Sequence, residues 1–549
     1  MMSVRLIKHL TGIGIALAYL AVLIATSDIV GIARDETFRI QKAKHSEKWF
    51  RELPHLFSVG EPFAAWSKPY AEKYWNERGN VRPTVMQPVM GLGHFVFDPI
   101  VGSDNEMLAY RLPAMILSAL LVYLIFLMAT DLGGIFSGIA AAFSFILLPR
   151  IFFHAHLACL DVPVTAFSVL GLFAFSRAIS RKEHYWIPLA VIGISFSLAA
   201  KNSLVFIAAP LGIFLVAAIV RSIGKKKGNF VYRGISPRTV YTYIWIIIIA
   251  GLFFLVSWPP FVADPFNSVL LYMSLYLDTP HHPWMYLGYT LGQPPFPVSY
   301  PFVYTAMTVP VPFLILSAAG ICIIVWDLLK KRSDGLGNER FMIVLMAFIP
   351  ILLIAHPSVH IYGGTKHWML SMPYLCVAFG LAMTRVIGKI VELITNSRIK
   401  VAVAAALGVF IFIPAILGTV ATARWGHTYY NSISGWNGMA SGMQIQYWGD
   451  STVAALDWIN ENLPVREKIF LCRTEPRAAM IYRKTGWLRQ DITWTTKPGE
   501  AKWHIIHYQQ TFYKHLLYVR SRREIPYFTA TTWDGMPIVS VFGPPPDKS

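Results

Sequence analysis

The sequence predicts a polytopic α-helical membrane protein with about eleven transmembrane helices and a small C-terminal extracytoplasmic α/β domain. Of its 549 residues, 55% are hydrophobic and only 14% are charged, whereas soluble domains carry roughly a quarter charged residues. The hydrophobic residues recur in blocks of about twenty, the length of helix that crosses a bilayer core. The chain becomes polar only after Ala421. A soluble enzyme is therefore excluded.

The lengths of the apolar blocks predict the individual helices. The first block follows Arg5 and Lys8 but is too long for a signal-peptide core, so we interpret it as an uncleaved helix. Residues 186–221 are too long for one crossing of about 30 Å, and we divide them at Lys201-Asn202. The predicted spans are 10–32, 108–129, 132–148, 160–179, 186–199, 203–221, 240–258, 303–327, 341–356, 368–388 and 400–420.

The positive residues predict the orientation of the chain. The formal net charge is +18, and with eleven crossings nineteen Lys and Arg residues fall on the side of the N-terminus. On the other side, residues 261–304 contain no Lys or Arg. Because cytoplasmic loops are enriched in positive residues, we expect a cytoplasmic N-terminus and an extracytoplasmic C-terminal domain. This distribution explains the basic charge, and we expect no nucleic-acid partner.

We expect two units in the chain. Residues 1–430 are expected to form a transmembrane module, and residues 431–549 the soluble α/β domain. In the second unit, Asp450-Ser451 is expected to cap a helix that runs through Asn462. Runs of β-forming residues follow it, at 468–473, 503–508 and 537–542.

The long outer loop of the first unit, residues 34–109, is too aromatic for a linker. Its stretches 46–53 and 62–78 alternate aromatic and charged residues, which predicts amphipathic helices on the membrane surface. The aromatic residues expected at the interface are Trp49, Trp66, Tyr70, Tyr74 and Trp75.

Two acidic positions stand at helix ends. Asp35-Glu36 follows the first helix, and Asp161 begins the fourth. A carboxylate at such a boundary must be hydrated, paired or bound. A structural role is the alternative in both cases: a solvated helix end for the first pair, and contacts with Arg150 or nearby histidines for Asp161.

Further polar residues share the outer side in this topology. Taken singly, a histidine is more often packed or solvated than a ligand, and a lysine at a helix end commonly extends to the interface. Their common side suggests one site. The candidate substrate-binding residues are Glu36, Arg111, His154, His156, Lys201, His281, His282, Lys366 and His367.

Two carboxylates and several cations around one aqueous chamber suit sugar transfer from a lipid phosphate. The phosphate is already a good leaving group, so the enzyme needs a base for an acceptor hydroxyl and cations for the departing phosphate. Lys and Arg suit the phosphate, and Asp suits the base. Direct attack by the acceptor would invert the anomeric carbon.

At these residues the chain resembles the GT-C glycosyltransferases that use polyprenyl-phosphate sugars. The resemblance is to the branch of protein O-mannosyltransferases and the lipid A aminoarabinose transferase. Three landmarks occur in the order typical of that branch, namely Asp35-Glu36, Arg111 to Pro113, and the His-x-His-x-x-x-x-Asp-x-Pro run from His154 to Pro163. The region from Tyr429 to Asn460 is similar to the start of the soluble domain in many bacterial members.

This resemblance implies a membrane glycosyltransferase in a bacterial inner membrane. Its donor would be a polyprenyl-phosphate hexose or pentose, such as mannose, and its acceptor a hydroxyl on a protein, lipid or glycan. Asp35 would be the catalytic carboxylate, and Asp161 would shape the same cavity. Some members bind a divalent metal, for which Glu36 with His281 or His282 are the candidate ligands.

Two other functions stay open at this point. A transporter or flippase of lipid-linked sugars would also bind a lipid phosphate, but it needs access from both sides, and the candidate residues cluster on one face. A structural assembly protein could instead use the proline-rich residues 280–301 to dock a partner.

Overall fold

The structure is a computed structural model, and it shows a mainly helical protein with one small mixed sheet. It describes residues 4–75, 85–102, 105–181, 183–200, 204–226, 229–232, 237–277, 281–330 and 337–545. The helices before residue 422 are α1 (Val4–Ala25), α2 (Arg34–Ser58), α3 (Lys68–Trp75), α4 (Met86–Val101), α5 (Glu106–Gly133), α6 (Ile135–Ile146), α7 (Pro149–Ala155), α8 (Asp161–Ser180), α9 (Ile187–Ala200), α10 (Leu204–Ser222), α11 (Pro237–Val256), α12 (Pro259–Ala263), α13 (Pro265–Leu277), α14 (Tyr300–Thr308), α15 (Val311–Leu329), α16 (Gly337–Ile354), α17 (Met372–Glu392) and α18 (Ser397–Ala421). Two short hairpins join some of them, β1 (Ile223–Lys226) with β2 (Asn229–Tyr232) and β3 (Trp284–Tyr286) with β4 (Tyr289–Leu291).

The predicted membrane fold is confirmed, since each of the eleven apolar blocks contains a helix. In the described part of the chain, seven helices are long and apolar enough to cross a membrane, and α6 with α7, bent by 74°, would make an eighth. Three of the predicted blocks hold shorter apolar helices, at His184–Ala200, Leu204–Ala217 and Tyr241–Val256. The protein is therefore an integral membrane protein, and the number of eleven crossings stays a prediction.

Prolines explain two breaks in these helices. The predicted span 303–327 is divided between α14 and α15 at Val309 and Pro310. A proline lacks the amide hydrogen that a helix interior needs, and it disfavours helical geometry in the residue before it. Likewise, Pro149 opens α7 after the bend that follows α6. The division of 186–221 corresponds to the end of α9 and the start of α10.

The outer loop forms helices α2 to α4. Helix α2 contains the predicted stretch 46–53 and α3 lies within the predicted stretch 62–78, whereas α4 was not predicted. Their position on a membrane surface stays a prediction, and several of their aromatic residues pack on one another. Trp49 is buried, and its ring lies 5.6 Å from the ring of Trp66 and 5.6 Å from that of Trp75. This small aromatic core joins α2 to α3. Apolar side chains that the loop exposes include Phe57, 65% exposed, Phe63, 85% exposed, and Ile100, 74% exposed.

The C-terminal unit is built on a five-stranded sheet with three helices. The strand order is β6-β5-β7-β9-β8, with β5 parallel to β6 and β7, and with β9 antiparallel to β7 and β8. The three predicted β runs correspond to β5, β7 and β9. The elements are α19 (Val453–Asn462), β5 (Lys468–Leu471), α20 (Pro476–Lys484), β6 (Thr493–Thr495), β7 (Trp503–His507), α21 (Lys514–Ser521), β8 (Ile525–Thr531) and β9 (Pro537–Gly543).

The predicted cap of α19 is wrong. Asp450 and Ser451 lie in a short helical turn before the helix, and Thr452 holds the cap position without a side-chain hydrogen bond to the helix. Ser451 instead donates to Gln446 Oε1 at 2.7 Å, and the carboxyl of Asp450 is buried. A local pattern suggested the cap, whereas tertiary contacts determine where these side chains lie, with Gln446 and His507 for Ser451 and with His427 for Asp450.

The C-terminal unit contacts the chain that precedes α2. The Arg34 amide donates to the carbonyl of Trp448 at 2.9 Å, and the Ile32 amide donates to the Tyr482 hydroxyl at 2.7 Å. Gly31 lies so close to the carbonyl of Asp450 that any side chain there would collide with it. Residues 31–34 are thus held between the two units immediately before the first acidic candidate.

Candidate active site

The acidic candidate Asp35 and the basic candidate Lys366 meet at the start of α2. The Lys366 Nζ lies 3.5 Å from Asp35 Oδ2. The side chain of Asp35 is 43% exposed and that of Lys366 is 9% exposed, so the carboxylate faces the aqueous opening and the ammonium lies behind it. Asp35 lies in the first turn of α2. The free backbone amides at the N-terminal end of a helix also stabilise a negative charge there.

Local backbone geometry places Lys366 in this position. It belongs to the short helical turn Gly364–His367, which follows Gly363 in the left-handed conformation, with φ of 86°. A side chain at residue 363 would be strained there, and its Cβ would collide with the Lys366 side chain. The glycine therefore lets the lysine fold back towards Asp35.

Three aromatic rings surround the ammonium group. Lys366 Nζ lies 5.4 Å from the ring centre of Tyr362, 5.5 Å from that of Tyr447 and 5.0 Å from that of Trp448. Rings at these distances attract a cation through their negative faces. These rings were not among the site residues that the sequence suggested, although Trp448 lies in the segment that carried the family resemblance.

Lys366 stays positively charged in this environment. Burial lowers the pKa of Lys366, but the nearby charges of Asp35 and Asp161 outweigh burial, and the net shift of its pKa is upward. A charged lysine beside a half-exposed carboxylate can hold the phosphate of a substrate and release the carboxylate when that phosphate binds.

Asp161 is buried at the start of α8 on the same side of the protein. Its Oδ2 lies 3.8 Å from His154 Nδ1, and the His154 ring packs edge-to-face on Trp448 at 5.0 Å. The alternative partner Arg150 is engaged elsewhere, since it donates to the Tyr304 hydroxyl and to the Tyr429 carbonyl, each at 3.0 Å. The structure thus places Asp161 with His154 near Lys366.

Glu36 and Arg111 form a buried ion pair behind the site. Arg111 donates through Nε to Glu36 Oε1 and through Nη2 to Glu36 Oε2, both at 2.9 Å. Glu36 also accepts from the amides of Ala33 at 2.9 Å and Ala158 at 2.8 Å. The remaining donors of Arg111 bind the carbonyls of Ser27, Val30 and Gly31. Both candidates therefore fix the backbone around Asp35, and neither side chain faces the opening.

The candidate histidines occupy separate places. His156 is buried and bonds through Nε2 to the Thr26 hydroxyl at 2.8 Å, and burial lowers its pKa to about 4. His281 Nδ1 lies 2.7 Å from His360 Nδ1. His367 bonds through Nε2 to the Tyr362 carbonyl. His282 is the exposed member, and its ring packs on Tyr362 at 5.0 Å, while Lys201 lies outside the described residues.

Charged residues of the candidate site change the pKa of His282. Burial lowers its pKa, the positive charges of Arg34, Arg473 and Lys366 lower it further, and Asp35 raises it. The charges of these groups therefore all act on the His282 ring. The cations at residues 34 and 473 were not among the candidates that the sequence suggested.

The expected metal ligands do not fit a metal site. Glu36 is committed to Arg111, and His281 is paired with His360. Within the ranges that the structure describes, no three His, Cys, Asp or Glu side chains are grouped so that they could hold a metal ion. We derive no chemical step through a metal.

A second buried pair, Asp450 with His427, lies between the two units. His427 Nδ1 is 3.8 Å from Asp450 Oδ2, and each residue is 1% exposed. Neither carboxylate oxygen of Asp450 has a hydrogen-bond partner among the described residues. Burial raises the pKa of Asp450 to about 7 and lowers that of His427 well below its usual range. Both side chains are therefore mainly uncharged below neutral pH.

Comparison with known proteins gives one family match. The model of the dolichyl-phosphate-mannose-protein mannosyltransferases matches residues 93–269. This segment contains Arg111, His154 and Asp161, while Asp35 and Lys366 lie outside it. A comparison with curated protein sequences gives no match.

Solved structures of two membrane proteins are similar to this chain. An Archaeoglobus fulgidus oligosaccharyltransferase tethered to an acceptor peptide has 12% identity and a TM-score of 0.49, with 89% of this chain and 64% of that chain covered. ArnT from Cupriavidus metallidurans in the apo state has 13% identity and a TM-score of 0.47, with 96% and 97% covered. ArnT bound to undecaprenyl phosphate has 12% identity and a TM-score of 0.45, with the same coverage. The chain thus spans less than two thirds of the archaeal protein's length. The family match on residues 93–269 confirms the resemblance to mannosyltransferases that the sequence motifs indicated.

Proposed function

We propose that this protein is a membrane glycosyltransferase that moves a sugar from a polyprenyl-phosphate carrier to an acceptor hydroxyl. The observation that carries the proposal is the contact between the half-exposed Asp35 and the buried Lys366. The family match on residues 93–269 supports a lipid-phosphate sugar as donor. The acceptor hydroxyl belongs to a protein, a lipid or a glycan.

In the proposed reaction, Lys366 binds the phosphate of the donor. This contact draws the ammonium away from Asp35, which then accepts the proton of the acceptor hydroxyl. The acceptor oxygen forms a bond to the anomeric carbon, and the bond from that carbon to the phosphate oxygen breaks. The lipid phosphate leaves with the bonding electrons and is stabilised by Lys366. A single displacement of this kind inverts the anomeric configuration.

Asp161 and the Glu36–Arg111 pair support this step in different ways. Asp161 contributes negative charge near Lys366 and keeps it protonated. The buried ion pair holds residues 27–33, so that Asp35 is fixed at the first turn of α2. We propose that these three are positioning residues and that Asp35 and Lys366 contact the substrates.

An apolar cavity in the membrane region fits the lipid part of the donor. It has a volume of about 360 Å³ and lies among α6, α14, α15, α16 and α17. Its lining is almost wholly apolar and includes Thr305, whose hydroxyl accepts a hydrogen bond from Trp368, two residues after Lys366. We propose that the first isoprene units occupy this cavity while the phosphate contacts Lys366.

We also propose that the site faces the outside of a bacterial inner membrane. The nineteen cations on the side of the N-terminus support a cytoplasmic N-terminus. The donor lipid, the surrounding membrane lipids and the acceptor would then be the partners of this protein.

The decisive experiment is sugar transfer by purified protein in detergent. Asp35→Asn should lower the turnover of a labelled polyprenyl-phosphate mannose by about 10²- to 10⁴-fold, because the base is lost, while thermal unfolding stays unchanged. Glu52→Gln, at a partly exposed position on the same helix that contacts Lys73 and not the site, should retain full activity. Unchanged turnover in the Asp35 variant would reject it as the base.

The flippase alternative predicts a different result. A flippase moves lipid between leaflets of sealed vesicles and transfers no sugar in detergent. Lipid movement in vesicles, without any transfer from a panel of polyprenyl-phosphate hexoses and pentoses, would favour that function over the proposed one.

A further inference from the structure

The C-terminal unit contributes an arginine to the opening above Asp35. Arg473 follows β5, and its carbonyl lies directly against Gly449, next to the Trp448 ring that packs on Lys366. Two residues later, Glu475 contacts the Arg34 guanidinium at 3.8 Å. The loop that carries Arg473 therefore borders the same opening as Arg34 and Asp35.

The side chain of Arg473 is held in a fixed position. Its guanidinium carbon lies 3.9 Å from the ring centre of Phe512, and its Nε donates to Gln509 Oε1 at 3.0 Å. The backbone of Arg473 has φ of 65°, in the left-handed region, which residues with a side chain rarely adopt. Strain of this kind, on an ordered charged side chain, is typical of residues that a site requires.

No carboxylate compensates the charge of Arg473. Among the residues that the structure describes, no carboxylate oxygen lies within 4 Å of its guanidinium nitrogens, and its Nη1 and Nη2 make no hydrogen bond to protein atoms. Burial lowers the pKa of Arg473, and the charge of Arg34 lowers it further. Arg34 and Arg473 thus place two positive charges near one loop. In the described part of the chain, the carboxylate within 4 Å of either guanidinium is that of Glu475, 3.8 Å from Arg34.

The two substrates would approach this opening from different sides. The proposed donor phosphate reaches the buried Lys366, which lies behind Asp35 and close to the membrane cavity. The Arg34 side chain is 45% exposed, whereas that of Lys366 is 9% exposed, so an acceptor that arrives from solvent would meet a guanidinium group first. A guanidinium offers two parallel donors, which match the oxygens of a phosphate or a carboxylate.

We propose that Arg473, together with Arg34, binds an anionic group on the acceptor and thereby selects acceptors that carry a phosphate or a carboxylate. This inference rests on the proposed function, because it assigns these arginines to the acceptor of that reaction. It also gives the C-terminal unit a direct part in substrate choice.

The test is the binding of small anions to purified protein in detergent. The protein is first saturated with undecaprenyl phosphate, so that Lys366 is occupied, and is then titrated with phenyl phosphate, benzoate or the uncharged phenol, with ligand-observed NMR as the readout. Wild-type protein should bind at least one of the anions and should not bind phenol. Arg473→Gln should weaken this binding at least tenfold.

Two further variants separate a specific loss of charge from a loss of fold. Arg473→Lys should recover part of the affinity because it restores the charge, and Arg520→Gln, at an exposed position on α21, should bind as the wild type does. Equal affinity in wild type and Arg473→Gln, or no binding of either anion to the wild type, would overturn the inference. A preference for benzoate would identify a carboxylate acceptor, and a preference for phenyl phosphate would identify a phosphate acceptor.

Failure of the proposed function has a separate signature. The same preparations are assayed for sugar transfer from polyprenyl-phosphate donors, which does not depend on the anion titration. Absence of transfer counts against the glycosyltransferase, whereas transfer with anion binding that is insensitive to residue 473 counts against the acceptor site alone.

Discussion

Neighbouring carboxylates at the start of α2 have opposite environments. Asp35 is half-exposed beside Lys366, and Glu36 is 0% exposed between Arg111 and two backbone amides. The helix turns by about 100° per residue, so adjacent side chains point in different directions. One carboxylate can therefore face substrates while the next holds the backbone that positions it.

Glu36→Gln should separate these two roles. It leaves the Arg111 guanidinium buried without a compensating charge, and breaking a buried ion pair typically costs about 3 to 5 kcal/mol. We expect a clear fall in the midpoint of thermal unfolding, together with reduced transfer. By contrast, Asp35→Asn should reduce transfer and leave that midpoint unchanged.

A double variant tests this interpretation. Combining Glu36→Gln with Arg111→Met removes the uncompensated charge, so part of the lost stability should return, whereas transfer should stay low. Full stability in the single variant would show that the pair does not hold residues 27–33.

At the scale of single residues, the sequence predicted several candidate site residues but not the contacts that they make. The acidic pair and Asp161 could be found because charges at membrane boundaries are costly. The contact between Asp35 and Lys366 joins residues far apart in sequence, and no local pattern encodes it. The aromatic rings at 362, 447 and 448 and the guanidinium of Arg473 look like ordinary surface or core residues in the sequence.

The segment between α18 and α19, residues 422–452, lies between the two units. It contains His427 and Asp450, whose polar atoms have no hydrogen-bond partner among the described residues. It also packs on Gly31, just before the first turn of α2. The protonation state of Asp450 is therefore expected to affect the stability of the contact between this segment and the start of α2.

The raised pKa of Asp450 predicts a pH-dependent stability. In the unfolded chain an Asp has a pKa of about 3.9, and in the folded protein that of Asp450 is about 7. Below pH 4 both states are protonated, and stability is complete. As the pH rises from 4 to 7, the unfolded state loses its proton first, and the folded state loses relative stability.

Asp450→Asn should remove this dependence. The variant should gain stability over the wild type as the pH rises from 5 to 8, by about 3 kcal/mol at 1.4 kcal/mol per pKa unit, seen as a growing difference in thermal unfolding midpoint. His427 titrates in both proteins, so its contribution cancels in the comparison. A difference that stays constant from pH 5 to 8 would contradict the raised pKa.

Elements were predictable where length and hydrophobicity determine them. All eleven apolar blocks contain helices, and the three β runs of the C-terminal unit form strands. Strands β6 and β8 were not predicted, because their residues are largely exposed and show no clear alternation. The cap at Asp450 failed because tertiary contacts with Gly31 outweigh a local preference.

Over the whole molecule, the proposed site needs both units. The membrane module supplies Asp35, Asp161 and Lys366, while the C-terminal unit supplies Trp448 and Arg473. The donor would enter from the lipid, through the apolar cavity, and the acceptor from the aqueous side. Such a division lets one protein join a membrane-bound donor to an acceptor outside the hydrocarbon.

Filling the apolar cavity should therefore weaken the binding of the donor and leave that of the acceptor unchanged. Ala318 on α15 lines the cavity, and Ala318→Trp would take up part of the volume that the isoprene units need. We expect the KM for a long-chain polyprenyl-phosphate mannose to rise about tenfold, with kcat nearly unchanged, because the reacting groups near Lys366 are not altered. A donor with a short lipid chain should be affected much less, since it does not extend into the cavity.

A matched substitution on the same helix distinguishes a blocked cavity from a general disturbance of α15. Ile315 is 63% exposed and is not part of the cavity lining, so Ile315→Trp should leave the KM for both donors unchanged. An equal rise of KM for long and short donors in the Ala318 variant, or the same rise in the Ile315 variant, would place the lipid chain elsewhere. In that case the cavity would be a packing defect among α14 to α17, and the donor would reach Lys366 by another surface of the membrane module.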